Sequence, residues 1–269
     1  MVDEPLYTHE RGRYTPSEHT RGPWYPDHQH GGAPAALLAR ALEGLAGDGF
    51  ALTRLTLDLV RPVPLTPLIV TAEVTKRGKR SLGLAARVDA EGHTVVDARA
   101  SAVRLADLPA GEASAAFAAF AATLSPGPEA GRHADFGPGM TGDLPAFHRT
   151  GMDVRFVGGG FDEPGPAQAW FRLRRPVVDD EEPTGVQRAA AAADFSNGLS
   201  WSLPADRWVF VNADLSVHLA RPPQGEWIAL DAITVATDHG VGMAEGALYD
   251  ASGRVGRSVQ SLVLEHRPS

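Results

Sequence analysis

The stretch Gly185-Val-Gln-Arg-Ala-Ala-Ala-Ala-Ala-Asp194-Phe-Ser-Asn-Gly-Leu-Ser-Trp201 decides how the rest of the chain is read. Alanine is the strongest helix former, so Arg188 to Phe195 reads as helix. Thr184 stands at the N-cap position, Pro183 lies outside it, and Asn197-Gly198 is a stop signal. Five consecutive alanines keep the helix slim on every side, so sheet can approach it closely on more than one face. Asp194 is then a carboxylate between Ala193 and Phe195, and in a buried helix it needs a partner or a task. A solvated acid near a helix end, or one capping a neighbouring backbone, is the alternative.

Outward from this helix the chain resolves into two similar halves. In the first, Tyr7 to Tyr14 alternates weakly as an opening strand, and Trp24 to Gly32 is a loop. A helix follows, with Pro34 in its first turn and Leu37, Leu38, Leu42 and Leu45 as its apolar stripe. Four strands come next: Leu52 to Val60, Leu68 to Thr75, Ser81 to Asp89 and Thr94 to Leu105. Asp107 to Thr150 is rich in Ala, Pro and Gly and reads as a linker, with a short helix around Ala113 to Leu124. In the second half, strands at Met152 to Val157 and Ala167 to Leu173 precede the alanine helix. Trp208 to Leu219, Trp227 to Ala236 and Val255 to Glu265 follow it.

Leu219-Ala-Arg221-Pro222 matches Leu59-Val-Arg61-Pro62 at an offset of 160 residues (221 − 61), and Asp250-Ala-Ser-Gly253 matches Asp89-Ala-Glu-Gly92 at 161 (253 − 92). Matching strand ends, a matching turn and matching spacing together indicate internal duplication. The expectation is an α+β double hotdog, two tandem helix-wrapped antiparallel sheets in one chain. Its parts are residues 1–105, a linker over 106–149, and residues 150–269.

Composition narrows the function. With 43% apolar residues in 269, a substantial core is available. A net charge of −8 argues against a nucleic-acid partner. There is no cysteine, hence no disulfide, thiolate nucleophile or cysteine-ligated metal. Met1-Val-Asp-Glu-Pro lacks the regions of a signal peptide, and no apolar run is long enough for a membrane span. A cytoplasmic protein is expected. No Gly-x-Ser-x-Gly elbow is present. The His28-x-His30 pair has no further ligand cluster nearby, so neither a metal nor a cofactor is expected.

The sequence resembles the TesB-like acyl-CoA thioesterase II family over nearly the whole chain outside the linker. The resemblance rests on His30-Gly31-Gly32 and Leu59-Val-Arg61-Pro62 in the first half. In the second it rests on Ala193-Asp194-Phe195, on Val211-Asn-Ala-Asp-Leu-Ser-Val-His-Leu-Ala-Arg221-Pro222, and on Ser258-Val259-Gln260. It implies hydrolysis of acyl-CoA by a water held by an Asp, a Ser or Thr hydroxyl, and a Gln. These positions fall on Asp194, Asn212 and Gln260, with Asn212 departing from the family's hydroxyl. Asp194 is the candidate general base, its pKa expected to rise on burial. His30, Gly31 and Gly32 are candidates for oxyanion or phosphate contact at a helix start, or the glycines merely let the loop pack. Phe195 and Trp201 are candidates for an acyl slot. Lys79 and Arg80, on the basic tip Lys76 to Arg80, are candidates for the CoA phosphates, or the tip is simply solvated.

Arg99 lies 161 residues before Gln260, so the first half lacks the glutamine and at most one site per chain is expected. The partner is acyl-CoA, and the resemblance allows a homo-oligomer of double-hotdog chains. Two other functions fit the same fold. One is an enoyl-thioester hydratase or dehydratase using His218 and Asp214. The other is a non-catalytic acyl-thioester binder, which the Asn at position 212 favours.

Overall fold

Leu52, Leu55 and Leu57 are buried while Arg54 and Asp58 face solvent, the two-faced pattern of a strand with one wet side. The computed structural model describes residues 4–107, 118, 120, 122–134, 142–179, 181–204 and 207–266. The first half contains a hairpin, β1 (Tyr7–Glu10) and β2 (Arg13–Pro16), then helix α1 (Gly32–Ala46). Strands β3 (Phe50–Leu59), β4 (Leu68–Arg77), β5 (Ser81–Ala90) and β6 (His93–Arg104) follow. After β7 (Arg132–His133), the second half runs β8 (Met152–Gly160), β9 (Glu163–Leu173), α2 (Gly185–Ala193) and a four-residue turn of helix, α3 (Ser196–Leu199). It finishes with β10 (Trp208–Asn212), β11 (Asp214–Leu219), β12 (Ile228–Ala236), β13 (Val241–Asp250) and β14 (Gly253–His266).

Several boundaries differ from the sequence reading. The opening strand is a hairpin, because Arg11 and Gly12 adopt positive φ and turn the chain. Trp208 to Leu219 is two strands, broken at Ala213, whose N–H bonds Ser261 O while its carbonyl accepts from Leu59 N. Of the helix expected near Ala113 to Leu124, all but residues 118, 120 and 122–124 lie outside the described residues.

Among the described residues the strands form one antiparallel sheet in the order β1-β2-β4-β5-β6-β3-β11-β14-β13-β12-β9-β8-β7, with β10 also on β14. The halves join where β3 pairs β11. Thr56 stands opposite Ser216, with Leu55 opposite Val217 and Leu57 opposite Leu215. The difference 216 − 56 is the repeat offset itself, so an approximate twofold passes through the Thr56–Ser216 pair, where the two hydroxyls hydrogen-bond at 3.2 Å. The offset of 160 then holds throughout: β4 and β12 begin at Leu68 and Ile228, β5 and β13 at Ser81 and Val241, β6 and β14 at His93 and Gly253.

This register corrects the one-residue drift read from the sequence. Asp250 faces Gly253 as Ala90 faces His93, and Ala244 faces Gln260 as Leu84 faces Ala100. The counterpart of Gly253 is therefore His93 rather than Gly92, and that of Gln260 is Ala100 rather than Arg99. The cause is turn chemistry. The first-half turn places positive φ on Glu91 and Gly92, whereas in the second half Gly253 carries it. Glycine marks the backbone conformation of each turn and not its register.

The alanines of α2 are buried on every side. Helix α2 packs against α1 and against β9, β11 and β12, while α1 lies on β3, β4 and β5. Close approach requires small residues: a Cβ on Gly32 would fall 2.6 Å from the Ala191 carbonyl oxygen. Thr184 caps α2 by accepting from Gln187 N, and its hydroxyl donates to Glu43 of α1 at 2.6 Å. The helix starts at Gly185 and ends with Asp194 as its C-cap, so the chain leaves it before the expected Asn197-Gly198 stop. One apolar core, containing Leu37, Leu57, Phe171 and Leu230, runs through both halves.

Candidate active site

Asp194 is 5% exposed and its carboxylate gathers side chains from three other elements. From the end of β10, Asn212 Nδ2 donates to Oδ1 at 2.8 Å. From β14, Gln260 Nε2 donates to Oδ1 and to the Asp194 carbonyl, both at 3.2 Å. From the loop before α1, His30 Nδ1 lies 2.9 Å from Oδ2. The carboxylate also sits at the start of α1, so close that a Cβ on the N-cap Gly31 would be 2.8 Å from Oδ2. A helix N-terminus favours negative charge. Burial pushes the Asp194 carboxyl up. The His30 imidazole, the Asn212 amide and the Gly32 N–H together outweigh it and hold it below the ordinary carboxylate range. The expected rise towards neutrality is thereby overturned: the side chain is buried but amply partnered.

The loop that delivers His30 is fixed from several sides. Arg21 donates to the Pro26 and Pro145 carbonyls, each at 2.7 Å. Gln29 accepts from Tyr7 Oη and donates to Pro64 O, each at 2.6 Å. The His30 ring stacks on Phe195 with centroids 4.4 Å apart, and Phe147 flanks it at 5.2 Å. Phe147 opens a wide helical turn, Phe147–Gly151, that also carries the buried His148. Burial lowers the His148 pKa to about 3, with the neighbouring His30 and Arg149 charges adding to the effect.

Asn197 completes the site. Its backbone N–H donates to Gln260 Oε1 at 3.2 Å, and its Nδ2 is shared between Asn212 Oδ1 and Phe210 O. In the sequence Asn197 reads only as a helix stop. No pattern of spacing singles it out, because its role comes from the α3 turn that follows the break at Asp194.

These residues face a cavity of ≈ 280 Å³ lined by His30, Gly31, Asp194, Asn197 and Asn212, with Trp24, Val60, Val63, Phe195 and Phe210 as apolar wall. Of the candidates read from the sequence, Asp194, Asn212, Gln260, His30, Gly31, Gly32 and Phe195 are therefore assembled in one place. Gln260 is fully buried behind the carboxylate and does not line the cavity. The anion met by His30, Gly31 and Gly32 is Asp194 itself. Trp201 is not brought to the cavity wall; it belongs to a second apolar cluster and its indole donates to Phe161 O. Lys79 and Arg80 are also absent from the wall. They sit exposed on the β4–β5 tip, which joins β6 near Arg104 at the Phe50 end of β3, while the cavity adjoins the Leu59 end. His218 and Asp214 make no pair: Asp214 bonds Ser261, and His218 faces Arg54 and Arg257 across the sheet. Among the described residues no group of His, Asp or Glu is arranged to hold a metal, and no helix is long and apolar enough to cross a membrane.

The sequence pattern of acyl-CoA thioesterase N-terminal domains matches residues 20–104, and that of acyl-CoA thioesterase C-terminal domains matches residues 121–264. No curated protein sequence matches the chain. A proposed thioesterase from Novosphingobium aromaticivorans is 22% identical, with a TM-score of 0.72 over 97% of this chain and 99% of that one. A protein of unknown function with a hot dog fold from Alicyclobacillus acidocaldarius is 15% identical, with a TM-score of 0.71 over 98% and 96%. The acyl-CoA thioesterase II TesB2 from Mycobacterium marinum is 18% identical, with a TM-score of 0.63 over 96% and 94%. At these identities the likeness to solved structures is one of fold, the hotdog in tandem.

Proposed function

This chain belongs to the acyl-CoA thioesterase family and is a thioester hydrolase, and from that premise we propose that it hydrolyses acyl-CoA in the Asp194 cavity with a water activated by Asp194. The observation that carries the proposal is the convergence of Asn212, Gln260 and His30, from three separate elements, on one buried carboxylate facing an apolar-walled cavity. Asn212 supports Asp194 through its amide, so the missing hydroxyl is answered by a direct donor to the carboxylate. Gln260 acts as a positioning residue, since its amide is engaged by Asp194 and Asn197.

In the proposed reaction the water oxygen bonds to the thioester carbonyl carbon while Asp194 accepts the proton. Collapse of the tetrahedral intermediate breaks the C–S bond, and the proton passes to the departing thiolate, giving free acid and CoA. A carboxylate held ionised is a modest base, so its larger contribution is to orient the water. The apolar wall receives the acyl chain.

Thiol release from a panel of acyl-CoAs of graded length tests this directly. Asp194→Asn is expected to lower kcat by about 10²–10⁴-fold, the usual worth of a general base, while acyl-CoA still binds. Near-normal turnover by the variant would return Asp194 to a structural role. Binding without any turnover by the parent protein would make it an acyl-thioester binder.

A further inference from the structure

The duplication provides an internal comparison for each residue it repeats. Arg221 and Arg61 occupy equivalent positions, two residues past the ends of β11 and β3. Arg221 donates to both oxygens of Asp250, at 2.5 and 2.6 Å, and to Gly253 O at 3.2 Å. Asp250 is fully buried and also accepts from Gln224 N and Ser252 N. This arginine closes a corner of the second half.

The first-half residue in register with Asp250 is Ala90. Arg61 therefore has no carboxylate where its twin has one, and among the described residues no hydrogen bond or ion pair engages its guanidinium. The nearby Asp89 carboxylate accepts instead from Thr94 Oγ1 at 2.8 Å. Arg61 is exposed, and it lines the same cavity as Asp194. A cation relieved of its structural partner thus stands on the outer lip of a cavity whose reacting group is buried within.

We propose that Arg61 binds the phosphate groups of CoA and thereby sets the preference for CoA-borne thioesters. The proposal rests on the reading of this cavity as the acyl-CoA site. Arginine's planar fork matches phosphate oxygens. In a chain of net charge −8 a local cation is what allows a polyanionic substrate to dock. The geometry also orders the substrate: thioester inward at Asp194, nucleotide outward at Arg61.

The test compares two substrates and one ligand. Arg61→Ala is expected to raise KM for an acyl-CoA about tenfold or more, with the loss on KM rather than kcat and shrinking as salt is raised. Its KM for the same acyl group on N-acetylcysteamine, which lacks the nucleotide, should match the parent's, and Arg61→Lys should recover part of the CoA affinity. Calorimetric titration with free CoA should show the same weakening without any turnover. If CoA binds both proteins equally, Arg61 has no such role and the catalytic assignment stands. If the parent hydrolyses the truncated thioester but does not bind CoA, the Arg61 proposal falls alone. If the parent neither binds CoA nor hydrolyses either substrate, both fall together.

Discussion

Burial decides the titration of His148 but not that of Asp194, whose partners reverse its effect. Asp194 is held below the ordinary carboxylate range, so it stays ionised until the pH falls through that depressed value. The acid limb of kcat/KM is expected below the ordinary carboxylate range; a limb centred near neutrality would place the essential base elsewhere. His148 is neutral in the fold down to about 3, whereas the unfolded chain protonates it near 6.5. Between those values the unfolded state binds the extra proton, so stability rises with pH and is lost on acidification, by up to about 1.4 kcal/mol per unit. Urea melts at pH 7 and pH 5 should therefore differ by roughly 2 kcal/mol, and His148→Gln should flatten the difference. At this scale the sequence was informative about Asp194, Asn212 and Gln260, because family motifs carry them. It was silent on Asn197 and Phe147, which reach the site only through the turn at Ser196 and the loop before β8.

Elements were legible where periodicity was strong, as in β3 and in the apolar stripe of α1. They were misread where a single backbone contact decides. The break at Ala213 separates β10 from β11 and aims Asn212 at Asp194, yet nothing in Val211-Asn-Ala-Asp announces it. Gly256 is a similar case. A Cβ there would lie 2.0 Å from the His218 carbonyl oxygen, so β11 and β14 can pair only if that position stays bare. Gly256→Ala is expected to destabilise the protein by about 1–3 kcal/mol. It should also lower turnover, because β14 carries Gln260 four residues on. Circular dichroism melts and thiol-release assays on the same variant check both; loss of one without the other would uncouple the strand from the site.

On the scale of the molecule, the shared sheet and shared core make the two halves one folding unit. Chemical unfolding followed by tryptophan fluorescence and by far-ultraviolet dichroism should give coincident single transitions; separated midpoints would mean that the halves melt independently. The duplication was visible in the sequence and the Arg61–Arg221 match already stood in register, but the turn glycines, shifted by one place, suggested a drift that the strands do not have. That constant register has a consequence for how such a chain can change over time. From Phe50 to Arg104, and again from Phe210 onward, the two copies count residues in step. An insertion of a single residue within a strand would exchange its inner and outer faces beyond that point. The copies differ in residue type, Asp250 against Ala90 and Gln260 against Ala100, while their strands agree in spacing. The differences in length lie upstream, where one copy has a fifteen-residue helix and the other a nine-residue helix and a four-residue turn, and it is from that segment of unequal length that Asp194 and His30 reach Asn212 and Gln260 on the evenly spaced strands.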